Sequence, residues 1–362
     1  MKTFTLALLF FGSIVAALPA AEPPYPRSKA VTLLTWAPDV IRLGADRTGD
    51  NWPSAWGDDD ILYTSWGDGP GFTNHQPQLS LGFAGISGNP PGVMKVQEIP
   101  SNLDTPNGGG KAGIKSSAMI MVDRVLYMWV RNIMIDGDFR HSRLAVSKDR
   151  SQTWTWVDWH FSDTFGCPEF VQFGKNYEGA RDNYLYVVSQ DNNDPYLYAT
   201  DIVLARVPKD RIADRDAYEF FAGAAAAGKP LWVAELAGRK SIFADAKGIQ
   251  RVAMSYNPAL RRYFLVSSIG VDGAATQVMH TGGLGVFDGP EPWGPWSTVY
   301  YDQYWSGGKD GSYTLEEWTY HQKFPPKFMS RDGKTMWLLY SGRGANYAFC
   351  LKKATLDLTP IH

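Results

Sequence analysis

The sequence predicts an all-β fold, a five-bladed β-propeller with four-stranded blades, and three observations predict it. A strand, a tight polar turn and a second strand recur five times along the chain, each copy followed by one or two further short apolar runs. The last copy is one strand short, and an unused strand-like run near the start, residues 31–36, completes it. Tryptophan is abundant, with 14 residues, and large rings fill the wedge between radially arranged sheets. Regular units of about four strands build solenoids or propellers, and a closed ring of sheets removes exposed edges.

The elements follow in order. The first unit pairs residues 52–57 with 61–66 across Asp58-Asp59-Asp60. The second pairs 116–122 with 125–129 across Asp123-Arg124. The third runs from 169–173 through a longer turn to 184–188, and the fourth from 251–256 through Asn257-Pro258 to 263–266. The fifth is read as 327–330, a turn at Asp332-Gly333, and 336–340. Asp-Gly, Asn-Pro and clustered Asp punctuate hairpins, and β-branched and aromatic runs between them are strands. The run 31–36 is expected to pair with 348–356 and close the ring.

Before the first unit stands Lys2, an apolar run over 4–18, then Pro19-Ala20-Ala21. That order is a secretory leader, which makes 1–21 a signal peptide and 22–362 a single exported domain, secreted or periplasmic. The apolar run is short for a membrane anchor, so no membrane insertion is expected. The formal net charge of −2 lacks the basic footprint of a nucleic-acid binder. The two cysteines, Cys167 and Cys350, fall in different units, which predicts two buried thiols and no zinc site. Asp191-Asn192-Asn193-Asp194 is rich in oxygen, but it lacks the alternation and distal Glu of a calcium loop. No cofactor or metal follows from the sequence, and a monomer is expected.

In a propeller, the loops entering each first strand and leaving each second strand meet on one face, where polar side chains collect. Carboxylates there are the chemical signal. Glycoside hydrolysis uses one protonated and one ionised carboxyl flanking the bond. Asp50 and Asp68 bracket one innermost hairpin, and Glu169 opens the third inner strand; these are the candidate catalytic residues. Asn51, Arg131, Asn132, Asp191, Arg251, His321, Lys323 and Arg343 are the candidate substrate-binding residues. The plain alternatives are turn or capping roles for the aspartates and a buried, hydrogen-bonded His321. Tryptophans on loops are candidate sugar platforms, and those in strands are packing.

Asp50-Asn51-Trp52-Pro53, with Tyr63-Thr64-Ser65-Trp66-Gly67-Asp68-Gly69, resembles the opening of a bacterial family of secreted propellers long filed as a domain of unknown function. Gly166-Cys167-Pro168 and Pro290-Glu291-Pro292-Trp293-Gly294-Pro295-Trp296 extend the resemblance over nearly the whole mature chain. The resemblance implies a five-bladed fold and, from members that are endo-acting D-arabinofuranosidases, a glycoside hydrolase acting on a polysaccharide or oligosaccharide. A polysaccharide lyase using His321, Tyr320 or Tyr347 with Arg343, and a non-catalytic sugar-binding propeller, are the competing expectations.

Overall fold

The computed structural model describes residues 22–44, 47–74, 76–106, 109–270, 282–306, 319–342 and 344–359. The expected signal peptide and Arg343 lie outside the described residues. The described chain is all-β, with only short 3-10 turns between strands.

Strand β1 is Val31–Leu43. The next sheet holds β2 (Ser54–Trp56), β3 (Leu62–Trp66), β4 (Leu79–Ser87) and β5 (Lys95–Glu98) in sequence order, with the short β6 (Thr105–Pro106) bonded to β4. Then come β7 (Lys115–Val122), β8 (Val125–Ile135), β9 (Asp138–Ser147) and β10 (Thr155–Phe161), again in order. They are followed by β11 (Glu169–Gln172), β12 (Tyr184–Gln190), β13 (Ala199–Pro208), β14 (Glu219–Ala224) and β15 (Pro230–Val233). Next are β16 (Ser241–Asn257), β17 (Arg262–Ile269), β18 (Leu284–Gly289) and β19 (Ser297–Asp302). These last two groups join through a parallel pairing of β11 with β16 (Val171 with Met254) and through β13 against the start of β16. The final sheet is β20 (Thr319–Lys323), β21 (Thr335–Gly342) and β22 (Phe349–Leu358), with β1 as its fourth strand.

The turn chemistry explains the hairpins. Val122 pairs directly with Val125, and Asp123 and Arg124 between them sit at φ 48° and 68°, the mirror-image turn that suits strand twist. At the β2–β3 turn, Asp59 Oδ1 accepts the Ile61 N–H and its Oδ2 accepts the Tyr63 hydroxyl. Arg150 and Arg124 reach Asp58, and the buried Lys327 amine lies 2.9 Å from Asp60. These tips are structural.

One element differs from expectation. Residues 327–330 form no inner strand; Pro326–Phe328 is a 3-10 turn, and the inner strand of the last sheet is Thr319–Lys323. Pro325 and Pro326 lack the N–H that a ladder needs, so pairing reduces there to a single bridge, Met329 to Met336. Tyr320, His321 and Lys323 therefore lie on a strand and not in a loop entering one. The expected pairing of β1 is present: Val31 faces Leu358, and Leu43 faces Phe349.

Four apolar clusters lie between sheets. Tyr63, Leu81 and Phe83 pack against Met119, Met128 and Val130. Trp129 and Leu144 join Phe170, Leu204 and Phe220, and this cluster runs on to Met254 and Phe287. Phe264, Val266 and Val286 pack with Leu338, Tyr340 and the β1 residues Val31 and Leu34. Trp52, Leu62 and Ile86 pack with Trp337, Leu339 and Phe349. The inner strands are neighbours in the same succession, β2 by β7, β7 by β11, β11 by β16 and β16 by β20.

Candidate active site

The site forms where inner strands begin and end. Just before β2, Asp50 exchanges both backbone hydrogen bonds with Gly67, each at 2.9 Å, and Asp68 follows directly after β3. The two carboxylates thus leave adjacent backbone positions. Gly67 is required here: a Cβ on it would stand 2.6 Å from Asn51 Nδ2 and 2.7 Å from Asp50 Oδ1. Asn51, Trp52 and Asp68 hold positive φ, at 73°, 49° and 49°, as do Asn132 (61°), Arg251 (56°) and His321 (57°). Left-handed backbone at this many non-glycine positions on one rim is the kind of local strain that collects at functional sites.

Each carboxylate has its own environment. Asp68 Oδ1 accepts from Lys115 Nζ at 2.8 Å, so a buried ammonium stands beside it. Asp50 Oδ1 accepts from Asn51 Nδ2 at 2.7 Å, and its Oδ2 accepts from the Tyr320 hydroxyl at 3.0 Å. Asp50 keeps part of its surface open, yet protein surrounds its carboxyl. Burial first, and the neighbouring Asp68 second, push the Asp50 carboxyl up to about 6, against the opposing pull of Lys115, Arg131 and the Tyr320 hydrogen bond. Burial and Asp50 hold the Tyr320 hydroxyl well above its usual range. The Tyr347 hydroxyl donates to the Asp68 carbonyl at 2.8 Å.

The Asn51 amide has one workable orientation. Arg131, which only donates, gives Nη2–H to Asn51 Oδ1 at 3.2 Å, so Nδ2 must face Asp50. Arg131 Nη1 donates to Tyr196 at 3.1 Å and to Asn132 Oδ1 at 3.4 Å, while Asn132 Nδ2 donates to Tyr196 at 2.7 Å. With Asn51 fixed on Oδ1, a proton on Asp50 belongs on Oδ2, at the lone pair that the Tyr320 hydroxyl leaves open.

Of the expected site residues, Asp50, Asn51, Asp68, Arg131 and Asn132 come together, and Arg251 joins them through Tyr196, whose ring lies 5.3 Å from the Arg131 guanidinium and 5.4 Å from that of Arg251. Glu169 does not join the aspartates. It is buried, paired with Lys323 at 2.9 Å, and accepts the Phe170 N–H. Burial raises its carboxyl, with Lys323 opposing. Asp191 turns to Arg239 at 2.9 Å and to Thr164 at 2.6 Å, and Asp194 lies 3.4 Å from Lys111. Nearby cations thus hold both ends of that oxygen-rich run. His321 is buried on β20, at a register break between Tyr320 and Lys323. Among the described residues, no group of three or more His, Cys, Asp or Glu is arranged to hold a metal. Tyr196 was missed by sequence reasoning, which looked at the acids and amides of its loop. The signal available was an aromatic directly after the Asp194-Pro195 turn.

Comparisons with known proteins bear on the family and the fold. Residues 63–314 match a family model described as "Domain of unknown function (DUF4185)". No curated protein sequence matches the chain. Among solved structures, a candidate hydrolase from Bacteroides ovatus superposes with a TM-score of 0.52 at 12% identity, covering 87% of each chain. The GH43_1 enzyme from Xanthomonas citri in complex with xylotriose superposes with a TM-score of 0.51 at 13% identity, over 89% of this chain and 93% of that one. An exo-β-1,3-galactanase from Phanerochaete chrysosporium, bound to galactose, gives 0.47 at 10% identity, over 89% of this chain and 65% of that one. At such identities the likeness is one of fold.

Proposed function

We propose, from the premise that the chain belongs to the DUF4185 family, that it is an exported glycoside hydrolase built as a closed five-bladed propeller. The reading of the fold rests on five inner strands in succession and on the β1–β22 pairing, which ties the start of the chain to its end. The observation that carries the function is the asymmetry of two adjacent carboxylates. Asp68 sits against the Lys115 ammonium, while Asp50 is pushed up to about 6 and holds a proton under mildly acidic conditions. A pair driven apart in this way divides into an acid and a base.

In this mechanism Asp50 Oδ2 gives its proton to the glycosidic oxygen as the bond to the leaving sugar breaks. Asp68 stands over the sugar carbon on which positive charge develops. It acts there as nucleophile if the carboxyls lie about 5 Å apart, or as base toward water if they lie about 6.5–9.5 Å apart. Arg131 and Asn51 keep the proton on the correct oxygen. The likeness to an enzyme holding xylotriose supports a saccharide substrate, and the family resemblance favours an endo-acting arabinofuranosidase. Glu169, paired with Lys323, takes no part in this step.

The test is a polysaccharide panel with product analysis, on wild type, Asp50→Asn, Asp68→Asn and Glu169→Gln. Both aspartate variants lose activity by orders of magnitude, and Glu169→Gln retains more than either. Full turnover in Asp50→Asn overturns the assignment. An unsaturated product absorbing in the near ultraviolet would move the reading to a lyase.

A further inference from the structure

Arg251 is an arginine without a countercharge. It is 4% exposed, its Nη1 lies 3.0 Å from the Cys167 thiol, and its Nε is buried with no hydrogen-bond partner. No carboxylate stands within ion-pair distance of it among the described residues. Arg131, 1% exposed, also lacks a carboxylate partner, and its Nε is likewise buried and unpartnered. Both guanidiniums pack on the one Tyr196 ring, and burial first, and Arg131 second, make Arg251 harder to keep charged. Arginine carries five N–H donors and stays ionised in proteins, so two such groups buried side by side, one of them with a thiol as its side-chain acceptor, are costly to hold. Arg251 reaches this position through deliberate backbone geometry. It sits at a register break in β16 with φ 56°, and its N–H is fixed by Gln190 Oε1 at 2.9 Å.

The local charge balance has the same sign. Lys115 is matched by Asp68, while the carboxylate that bears on Arg131 is Asp50, which loses its charge as it takes up its proton. Among the described residues no carboxylate then pairs with Arg131 or Arg251. An oxyanion on a ligand would do so, accepting from a planar guanidinium in bidentate fashion beside an aromatic wall.

We propose that the glycan bound at this site carries an oxyanion, a uronate carboxylate on a residue neighbouring the cleaved sugar or a sulfate ester, received by Arg251 with Arg131 and Tyr196 beside it. The proposal rests on the saccharide reading above. It does not depend on whether the reaction is hydrolysis.

The experiment is calorimetric binding in an Asp50→Asn background, which prevents turnover, with three probes: tri-galacturonate, a sulfated galactotriose and neutral galactotriose. The expected result is that one acidic probe binds roughly tenfold or more tightly than the neutral one, and that Arg251→Met removes this preference. Which acidic probe wins identifies the oxyanion. Inorganic sulfate should compete with it. If Arg251→Met does not fold, as judged by its melting transition, Arg251→Lys takes its place. That variant keeps the charge but loses the bidentate fork, so a several-fold loss confined to the acidic probe supports the proposal and an unchanged preference overturns it. Equal binding of neutral and acidic probes, or binding of none, also overturns it. The hydrolase reading fails by a separate outcome: acidic probes bind as expected while Asp50→Asn still turns over the wild-type substrate.

Discussion

Asp50 is where stability and activity oppose each other. Its folded-state pKa lies above that of an unfolded aspartate, so the ionised form is disfavoured by folding. The stability it contributes is fully present below about pH 4 and is lost as pH rises through about 6. Asp50→Asn removes the penalty and keeps the Asn51 contact on Oδ1, while the Tyr320 hydroxyl must turn to accept from Nδ2. The variant should melt above wild type at pH 7–8, with the gap closing toward pH 4, and it should be inactive. A variant that melts below wild type at neutral pH would show that Asp50 is held chiefly by its hydrogen bonds. The same group sets the pH dependence of turnover: with Asp50 as acid, the rate falls on the alkaline side of about pH 6. Gly67→Ala should keep the fold and lose much of the activity, because the added methyl must displace Asn51 or Asp50. The aspartates were legible because both flank one short hairpin, Gly67-Asp68-Gly69 facing Asp50-Asn51. The arginine pair was legible only as charge, since Tyr196, which gathers Arg131 and Arg251, is 65 residues from the first along the chain. A contact across sheets leaves no local pattern.

Strands were readable where turn chemistry marked them, as at Asp123-Arg124, and unreadable where it misled. The Asp332-Gly333 turn is real, but the strand before it is interrupted by Pro325-Pro326, which moved the true inner strand back to Thr319–Lys323. The outer strands β5, β14 and β15 are short and partly exposed, and their mixed polarity gave no period to follow. β1 was legible because the last unit lacked a strand and an unused strand-like run stood near the start. It buries Val31 and Leu34, and the Trp36 ring packs against Tyr300, Trp305 and Phe324. Burial of three such side chains is worth roughly 5 kcal/mol. Removing residues 22–36 also strips the second half of β22, Ala354 to Leu358, of its partner and leaves that edge open. The truncated protein should therefore melt about 10 °C or more below the form starting at residue 22. Equal melting would mean that β1 is an ornament on the last sheet.

The four apolar clusters bear on how the protein unfolds, because no sheet has a core of its own. The β2–β5 sheet shares one cluster with β7–β10 and another with β20–β22 and β1. The β16–β19 group shares residues with β11–β15 on one side and with β20–β22 on the other. Loss of any one sheet would bare half of two clusters, so the sheets should unfold together although the chain is long enough for two domains. The two cysteines report on this from distant places. Cys167 lies beside Arg251 at the candidate site, and Cys350 lies within β22; both are buried, and no disulfide joins them. A buried thiol meets a labelling reagent only when its surroundings open. In rising denaturant, labelling of Cys167 and Cys350 should follow one midpoint, coincident with loss of tryptophan fluorescence, and calorimetry should give a single transition with matching calorimetric and van't Hoff enthalpies. Cys350 labelling ahead of Cys167 would mean that the last sheet opens alone, breaking the β1–β22 pairing while the remaining sheets stay folded, and the sheets would then not be one cooperative unit.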